Sequence, residues 1–182
     1  MGLRDKIKQV VMRLRDKIKL GHERAVADEL LSSLGIMPAG APAHGNPDKN
    51  EPDRLYKIDG KIIGVEVVTA YYSEVEAKTA HEVAEKPLAI EEAKVAEIMG
   101  SPDDSICESI QDALNQKCEK KYSNTDETWL CISIEAGITE TATIHGCVDD
   151  VELPQNHPFT RIFVTVRKLD NEGGGLEVIK IV

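Results

Sequence analysis

Two acidic residues, Asp53 and Glu66, stand on either side of an Asp59-Gly60 dipeptide. Asp-Gly between two runs of branched and aromatic residues predicts a β-hairpin with a two-residue type I′ turn. Counting outward from that turn, Asp53 lies opposite Glu66. Residues directly opposite each other project from the same face, with Cβ atoms about 5 Å apart. The spacing therefore predicts that the two carboxylates are neighbours in space.

Like charges directly opposite each other destabilise a hairpin, so this arrangement needs an offsetting positive charge. A divalent cation fits, because Mg²⁺ is commonly held by one or two carboxylates together with waters and phosphate oxygens. Gly64 lies beside Glu66 on the same face and is expected to leave room for a ligand to approach the backbone. The alternative is that the two acids sit at frayed strand ends and face water.

Helices and further strands are predicted around the hairpin. Glu23 lies on the inward-facing stripe of a helix that precedes the hairpin. The alternative is that Glu23 simply sits in the first turn of that helix, where negative charge is favoured. After the hairpin, residues 74–99 look helical, and another helix is expected from Ser101 to about Tyr122. Four strands are predicted by runs of apolar residues, at 127–136, 141–148, 160–168 and 176–182.

The motif of Pro52-Asp53 on one arm and Glu66 on the next resembles that of the PD-(D/E)XK nuclease superfamily. The element order agrees, since the preceding helix carries Glu23, where many members have an acid. The resemblance covers about residues 20–135. It implies an α/β fold with a mixed α+β sheet, namely a restriction-endonuclease-like αβββαβ core with additional C-terminal strands. It also implies that the acids bind Mg²⁺ or Mn²⁺ for phosphodiester hydrolysis.

One position departs from that family pattern. The family's lysine is expected two residues after the glutamate, where this chain has Val68, which cannot orient a water or neutralise developing phosphorane charge. Lys117 is the first candidate replacement, because it continues the apolar stripe of its helix and so faces the core, where an uncompensated ammonium is costly. Lys121, one turn further, is the second. The alternative is that Lys117 extends to solvent along its aliphatic stem.

A mechanism follows as a hypothesis. Asp53 and Glu66, with the Val67 carbonyl, are expected to hold Mg²⁺, which polarises the phosphodiester and lowers the pKa of an attacking water. Lys117 positions that water or stabilises charge, and Glu23 binds a metal water or a second ion. Two amides on the helix of Lys117 are candidates for contacts with phosphate or water: Gln111 and Gln116.

The composition of the chain predicts one domain with an aliphatic core, since 41% of its 182 residues are hydrophobic and only 4% aromatic. No apolar run approaches the roughly 20 residues of a membrane span, and the N-terminus lacks a signal-peptide pattern, so we expect a cytoplasmic protein without membrane contact.

Four cysteines without a C-x-x-C pair predict free, mostly buried thiols. His145 and Cys147, on the strand predicted at 141–148, are expected to be buried or edge residues rather than metal ligands.

The net charge of −10 is unevenly distributed, because residues 1–20 hold seven basic and two acidic side chains. The LRDKIK hexapeptide occurs twice there, eleven residues apart, which predicts a basic amphipathic helix. That helix could bind phosphates or an acidic partner; the alternative is an ordinary helix with solvated lysines. We predict this helix at 1–20 and a single nuclease-like domain at 21–182, with its core at about 21–135 and a β elaboration at 136–182.

The leading interpretation is Mg²⁺-dependent hydrolysis of DNA by an endonuclease or exonuclease. A catalytically inactive protein of the same fold that binds protein or nucleic acid is the alternative, favoured by Val68 and by the acidic surface. A third interpretation is a small α+β binding protein in which the hairpin acids are incidental. A protein partner or a homodimer is a further possibility.

Overall fold

The computed structural model describes the backbone of residues 3–71, 102–134, 141–168 and 175–182, and the side chains of these residues except 3–16 and 102–104. Within these ranges the chain forms three α-helices and one six-stranded sheet. The helices are α1 (Leu3–Ser33), α2 (Pro102–Cys118) and α3 (Thr141–Asp149). The strands are β1 (Ala43–His44), β2 (Arg54–Ile58), β3 (Lys61–Ala70), β4 (Glu127–Ile134), β5 (Arg161–Arg167) and β6 (Leu176–Lys180). The helix predicted at 74–99 lies outside the described residues.

The sheet is mixed and its strands are ordered from β1 to β6. Strands β1, β2 and β3 are antiparallel, β4 and β5 join β3 in parallel, and β6 is antiparallel to β5. The predicted mixed α/β class is therefore confirmed.

The hairpin of β2 and β3 has the predicted register, with Ile58 opposite Lys61. Asp59 and Gly60 both have positive φ angles, 50° and 82°, as a type I′ turn requires. Strand β2 begins at Arg54, so Asp53 lies one residue outside the paired strand. Strand β3 continues to Ala70, and no strand in the described part of the chain pairs with the edge of residues 66–70 that faces away from β4. We call this edge the uncovered edge.

The two faces of the sheet carry separate apolar clusters, because alternate strand residues point to opposite faces. Helix α1 covers one face, where Leu30 and Leu31 pack with Trp129 and Phe163. Helices α2 and α3 cover the other face, and the apolar stripe predicted for α2 is buried there: Ile106, Ile110, Ala113, Leu114 and Cys118.

Polar contacts tie α1 to the sheet. The Tyr56 hydroxyl on β2 donates to Asp28 Oδ1 at 2.7 Å, and Arg167 on β5 donates to Glu29 Oε2 at 3.0 Å. Helix α1 runs without interruption through residue 20, so no helix end marks the predicted boundary between residues 1–20 and 21–182. That division stays a prediction.

The strand predicted at 141–148 is wrong, because this segment forms helix α3. Its buried residues Ile144, Cys147 and Val148 are spaced as on one helical face, and α3 packs against α2 on that face. A disulfide joins Cys107 of α2 to Cys147. The prediction of free thiols is therefore wrong for this pair.

The other two cysteines, Cys118 and Cys131, are free and buried as predicted. In the part of the chain that the structure describes, no helix is both long and apolar enough to cross a membrane. The cytoplasmic location stays a prediction.

Candidate active site

A cavity of about 910 Å³ opens at the edge of β3 that β2 leaves uncovered. Helix α1 forms one wall, the end of α2 and the residues after it form another, and the loop before β2 forms a third. The charged side chains that line the cavity are Lys19, Glu23, Glu51, Asp53, Glu66, Lys117, Lys120 and Lys121. All four predicted catalytic residues thus meet around one space.

Asp53 is held beside β3 by its own side chain, since its Oδ2 accepts a hydrogen bond from the Val67 N–H at 2.8 Å. The N–H and C=O of one strand residue point to the same side, so the Val67 carbonyl also faces the uncovered edge. Burial raises the pKa of Asp53, and the negative charge of Glu66 raises it further, to about 6. The charge of Glu66 therefore acts on Asp53, as expected if the two carboxylates are neighbours.

Pro52, the residue before Asp53, is held in place by its contacts with two glycines, Gly64 and Gly45. A Cβ atom on Gly64 would lie 2.5 Å from Pro52 Cγ and 2.7 Å from Thr125 Cγ2, so these two side chains occupy the space that the glycine leaves. The prediction that Gly64 leaves room for a ligand is wrong for this reason. Gly45 packs on the Pro52 carbonyl, and its N–H donates to the Asp53 carbonyl at 3.2 Å. The glycines thus serve to position Asp53.

Lys117 reaches Glu66 from the last turn of α2, with 2.6 Å between its Nζ and Glu66 Oε1. Only 12% of the Lys117 side chain and 5% of the Glu66 side chain are exposed, so this ion pair is largely desolvated. Burial by itself would lower the pKa of Lys117, but the charge and hydrogen bond of Glu66 outweigh it and the pKa is raised. The ammonium faces the acids instead of extending to solvent.

A second ammonium, that of Lys120, lies 3.4 Å from Glu66 Oε1, and sequence reasoning missed it. The helix was expected to continue to about Tyr122, which would put Lys121 one turn after Lys117. It ends at Cys118 instead, and five residues later the Ser123 N–H donates to the Asn50 carbonyl at 3.0 Å, in the loop before β2. Lys121 lines the cavity.

Glu23 reaches the cavity from α1 and is only 6% exposed. Lys19, one turn earlier, lies 3.5 Å from Glu23 Oε1. The charge of Glu23 contributes to the raised pKa of Asp53, although less than burial and Glu66 do. The predicted inward orientation of Glu23 is confirmed.

The other residues singled out in the sequence lie in different surroundings. Gln116 lines the cavity, whereas Gln111 exchanges hydrogen bonds with the main chain of Glu152, so the predicted contact of Gln111 with phosphate is not supported. Val68, at the position expected for lysine, packs against the apolar cluster below α2. His145 lies on α3 and contacts Glu177, with 2.6 Å between Nε2 and Oε1.

The arrangement offers few ligands for a metal ion. Among the described residues, no three His, Cys, Asp or Glu side chains are grouped so that they could hold one. The uncovered edge presents two carboxylates, Asp53 and Glu66, and a backbone carbonyl. Such a set of hard oxygens can bind a small divalent cation that keeps several waters.

Comparisons of the chain with models of protein families, with curated protein sequences and with solved structures found no match.

Proposed function

We propose that the protein is a Mg²⁺-dependent or Mn²⁺-dependent phosphodiesterase of the PD-(D/E)XK type that hydrolyses DNA. The convergence of Asp53, Glu66 and Lys117 at the uncovered edge of β3 carries this proposal. The family pattern also needs a lysine beside the two acids, and position 68 is a valine. Helix α2 supplies the ammonium of Lys117 instead, with its Nζ 2.6 Å from Glu66 Oε1.

The fold is consistent with this proposal. Among the described residues, elements α1, β1, β2, β3, α2 and β4 occur in the αβββαβ order that the resemblance implies. The first three strands are antiparallel, and β4 pairs in parallel with β3, the strand that carries Glu66. On this proposal residues 21–135 form the nuclease-like core, and α3, β5 and β6 are additions to it.

The residues at the edge fit a hard divalent cation. Burial and then the negative charge of Glu66 raise the pKa of Asp53, and a bound cation would relieve the repulsion between the two carboxylates. Asp53, Glu66 and the Val67 carbonyl would hold the ion, and waters would complete its shell. When bound, Mg²⁺ or Mn²⁺ polarises the phosphodiester and lowers the pKa of a water.

Lys117 and Glu23 have distinct roles in this proposal. Lys117 stabilises negative charge on the phosphate oxygens or positions the attacking water, and its low exposure strengthens either interaction. Glu23 lies across the cavity on α1 and would hold a water or a second ion.

DNA is the proposed substrate because four lysines line the cavity, although the chain as a whole is acidic. The side chains of Lys19 and Lys120 are 73% and 51% exposed, and Lys121 also lines the cavity. Helix α1 continues from this wall into the basic residues 1–20. Phosphate contacts by such residues give affinity that does not depend on sequence.

The proposal is tested by incubating purified protein with plasmid and oligonucleotide DNA in Mg²⁺, Mn²⁺ or EDTA. We expect metal-dependent cleavage that Asp53→Asn reduces about 100-fold or more, since even residues that only support metal ligands are worth 10–100-fold. Asp126→Asn is the matched control, because Asp126 Oδ2 also accepts a hydrogen bond from a β3 N–H, that of Ile62 at 2.7 Å. Undiminished cleavage by Asp53→Asn would rule out the assignment.

An inactive module of the same fold that binds nucleic acid or a protein partner is the second candidate. The Lys117–Glu66 ion pair favours it, because the ammonium already neutralises Glu66 without a metal. DNA retention that weakens with salt, with no cleavage in either metal, would favour this function over hydrolysis.

A further inference from the structure

Tyr122 combines a well-packed ring with a buried hydroxyl that makes no hydrogen bond to the residues that the structure describes. Its ring packs against the apolar cluster below α2, with its centroid 5.4 Å from that of Phe159. The residue also lines the cavity that holds Asp53 and Glu66. The ring is therefore held by packing, and the residue forms part of the cavity wall.

The Tyr122 hydroxyl is buried and has no hydrogen-bond partner among the described residues. Burial and then the negative charge of the nearby Glu66 raise the pKa of this hydroxyl, and Glu66 Oε1 already accepts from Lys117 and Lys120. Leaving a buried hydroxyl unpaired costs free energy. The hydroxyl of Tyr56, by contrast, donates to Asp28 at 2.7 Å.

We propose that the Tyr122 hydroxyl is a substrate-binding donor, which gives its hydrogen bond to a non-bridging oxygen of the phosphate group that enters the cavity. This inference rests on the proposed function. A phenol keeps its proton at neutral pH and is therefore available as a donor. A phosphate oxygen is a strong, charged acceptor, and hydrogen bonds to charged groups are among the strongest in proteins.

The inference predicts effects of opposite sign on folding and on binding. Tyr122→Phe removes only the hydroxyl and keeps the ring against Phe159. The free protein loses no hydrogen bond, so its thermal midpoint is expected to equal or exceed that of the wild type. The complex with phosphate loses one charge-assisted hydrogen bond, so its dissociation constant should rise about tenfold or more.

The experiment measures both quantities on the full chain. Thermal unfolding is compared for the wild type, Tyr122→Phe and Tyr56→Phe; the last is a control that should unfold at a lower temperature, because it loses the bond to Asp28. Calorimetric titration with thymidine 5′-phosphate in Mg²⁺ gives the affinity for a phosphate that a phosphodiesterase does not hydrolyse. A midpoint for Tyr122→Phe that is not lowered, together with weaker binding, supports the proposal.

Two results would overturn it while leaving the proposed function in place. A lowered midpoint for Tyr122→Phe would show that the hydroxyl already has a partner in the free protein. An unchanged dissociation constant beside a wild type that binds thymidine 5′-phosphate and cleaves DNA would show that the hydroxyl does not contact the phosphate. A wild type that neither binds nor cleaves would instead remove the proposed function, and this inference with it.

Discussion

Strand β3 takes part in two lysine–glutamate ion pairs, which lie in different surroundings. At the start of the strand, Lys61 Nζ lies 2.7 Å from Glu127 Oε1, and the two side chains are 59% and 22% exposed. Toward its end, Lys117 Nζ lies 2.6 Å from Glu66 Oε1, and the exposures are 12% and 5%. Distance alone therefore does not distinguish a surface contact from a site. Burial does, because a desolvated pair is retained only where the surrounding structure supports it.

The same contrast holds for two aspartates that each accept a hydrogen bond from a β3 N–H. Asp126 accepts from Ile62 at 2.7 Å in an exposed position, and Asp53 accepts from Val67 at 2.8 Å beside Glu66 in the cavity. Burial and the neighbouring carboxylate raise the pKa of Asp53 to about 6. Perturbed groups of this kind concentrate at functional sites.

The largest expected effect on stability comes from Lys117→Met. It leaves Glu66 buried without its main partner, so the free energy of unfolding should fall by about 3 kcal/mol, toward the lower end of the range for broken buried pairs because Lys120 remains near. Lys61→Met should leave the stability almost unchanged. Urea denaturation at pH 7.5 measures both, and equal shifts for the two variants would contradict the contrast between the two ends of β3.

Asp53→Asn should have a pH-dependent effect. The pKa of Asp53 is about 6 in the folded protein and about 4 when unfolded, so the folded state binds more protons between these values and loses stability as the pH rises through them. The asparagine variant does not ionise. Its free energy of unfolding should exceed that of the wild type by almost nothing at pH 4 and by between about 2 and 3 kcal/mol at pH 7.

This advantage is measured as the difference between the urea unfolding free energies of Asp53→Asn and wild type from pH 4 to pH 7, with Asp126→Asn as the control at the exposed end. If Asp53→Asn is more stable than the wild type at pH 7 but does not cleave DNA, Asp53 serves function at the expense of stability. A variant less stable than the wild type at pH 7 would speak against a strained carboxylate.

Gly64→Ala tests how Asp53 is positioned. The added methyl group meets Pro52 and Thr125, so the variant should lose about 1–2 kcal/mol and lose DNA cleavage as Asp53 shifts. Gly146→Ala on α3 is the control, because nothing lies within 4 Å of its added Cβ and alanine favours a helix. Full cleavage by Gly64→Ala would show that Pro52 does not hold Asp53 in place.

The smallest effect is expected for Lys120→Met. Its side chain is 51% exposed and lies 3.4 Å from Glu66, so the loss of stability should stay below about 1 kcal/mol. In urea denaturation the variant should resemble Lys61→Met more than Lys117→Met. A loss as large as that of Lys117→Met would mean that the two ammonium groups share the charge of Glu66 equally.

Local rules in the sequence predicted the parts of the site that depend on periodicity. The Asp59-Gly60 turn fixed the register that brings Asp53 toward Glu66, and the stripe of α2 put Lys117 on the buried face. Both follow from spacing within one element or one hairpin.

The parts that depend on distant contacts were not predictable in this way. Lys120 lies beyond the end of α2 and reaches Glu66 where the chain turns toward the loop before β2, to which the Ser123 N–H bonds at Asn50. The segment of α3 is a short apolar run that periodicity assigns equally well to a strand, and its pairing of Cys147 with Cys107 depends on the packing of two helices.

The most direct measurement of the central claim is a crystal structure of the protein soaked in Mn²⁺, read by anomalous scattering. The account predicts one peak at the uncovered edge of β3, within bonding distance of Asp53, Glu66 and the Val67 carbonyl, and absent in Asp53→Asn crystals. An empty edge at saturating Mn²⁺, with Lys117 still paired to Glu66, would contradict it.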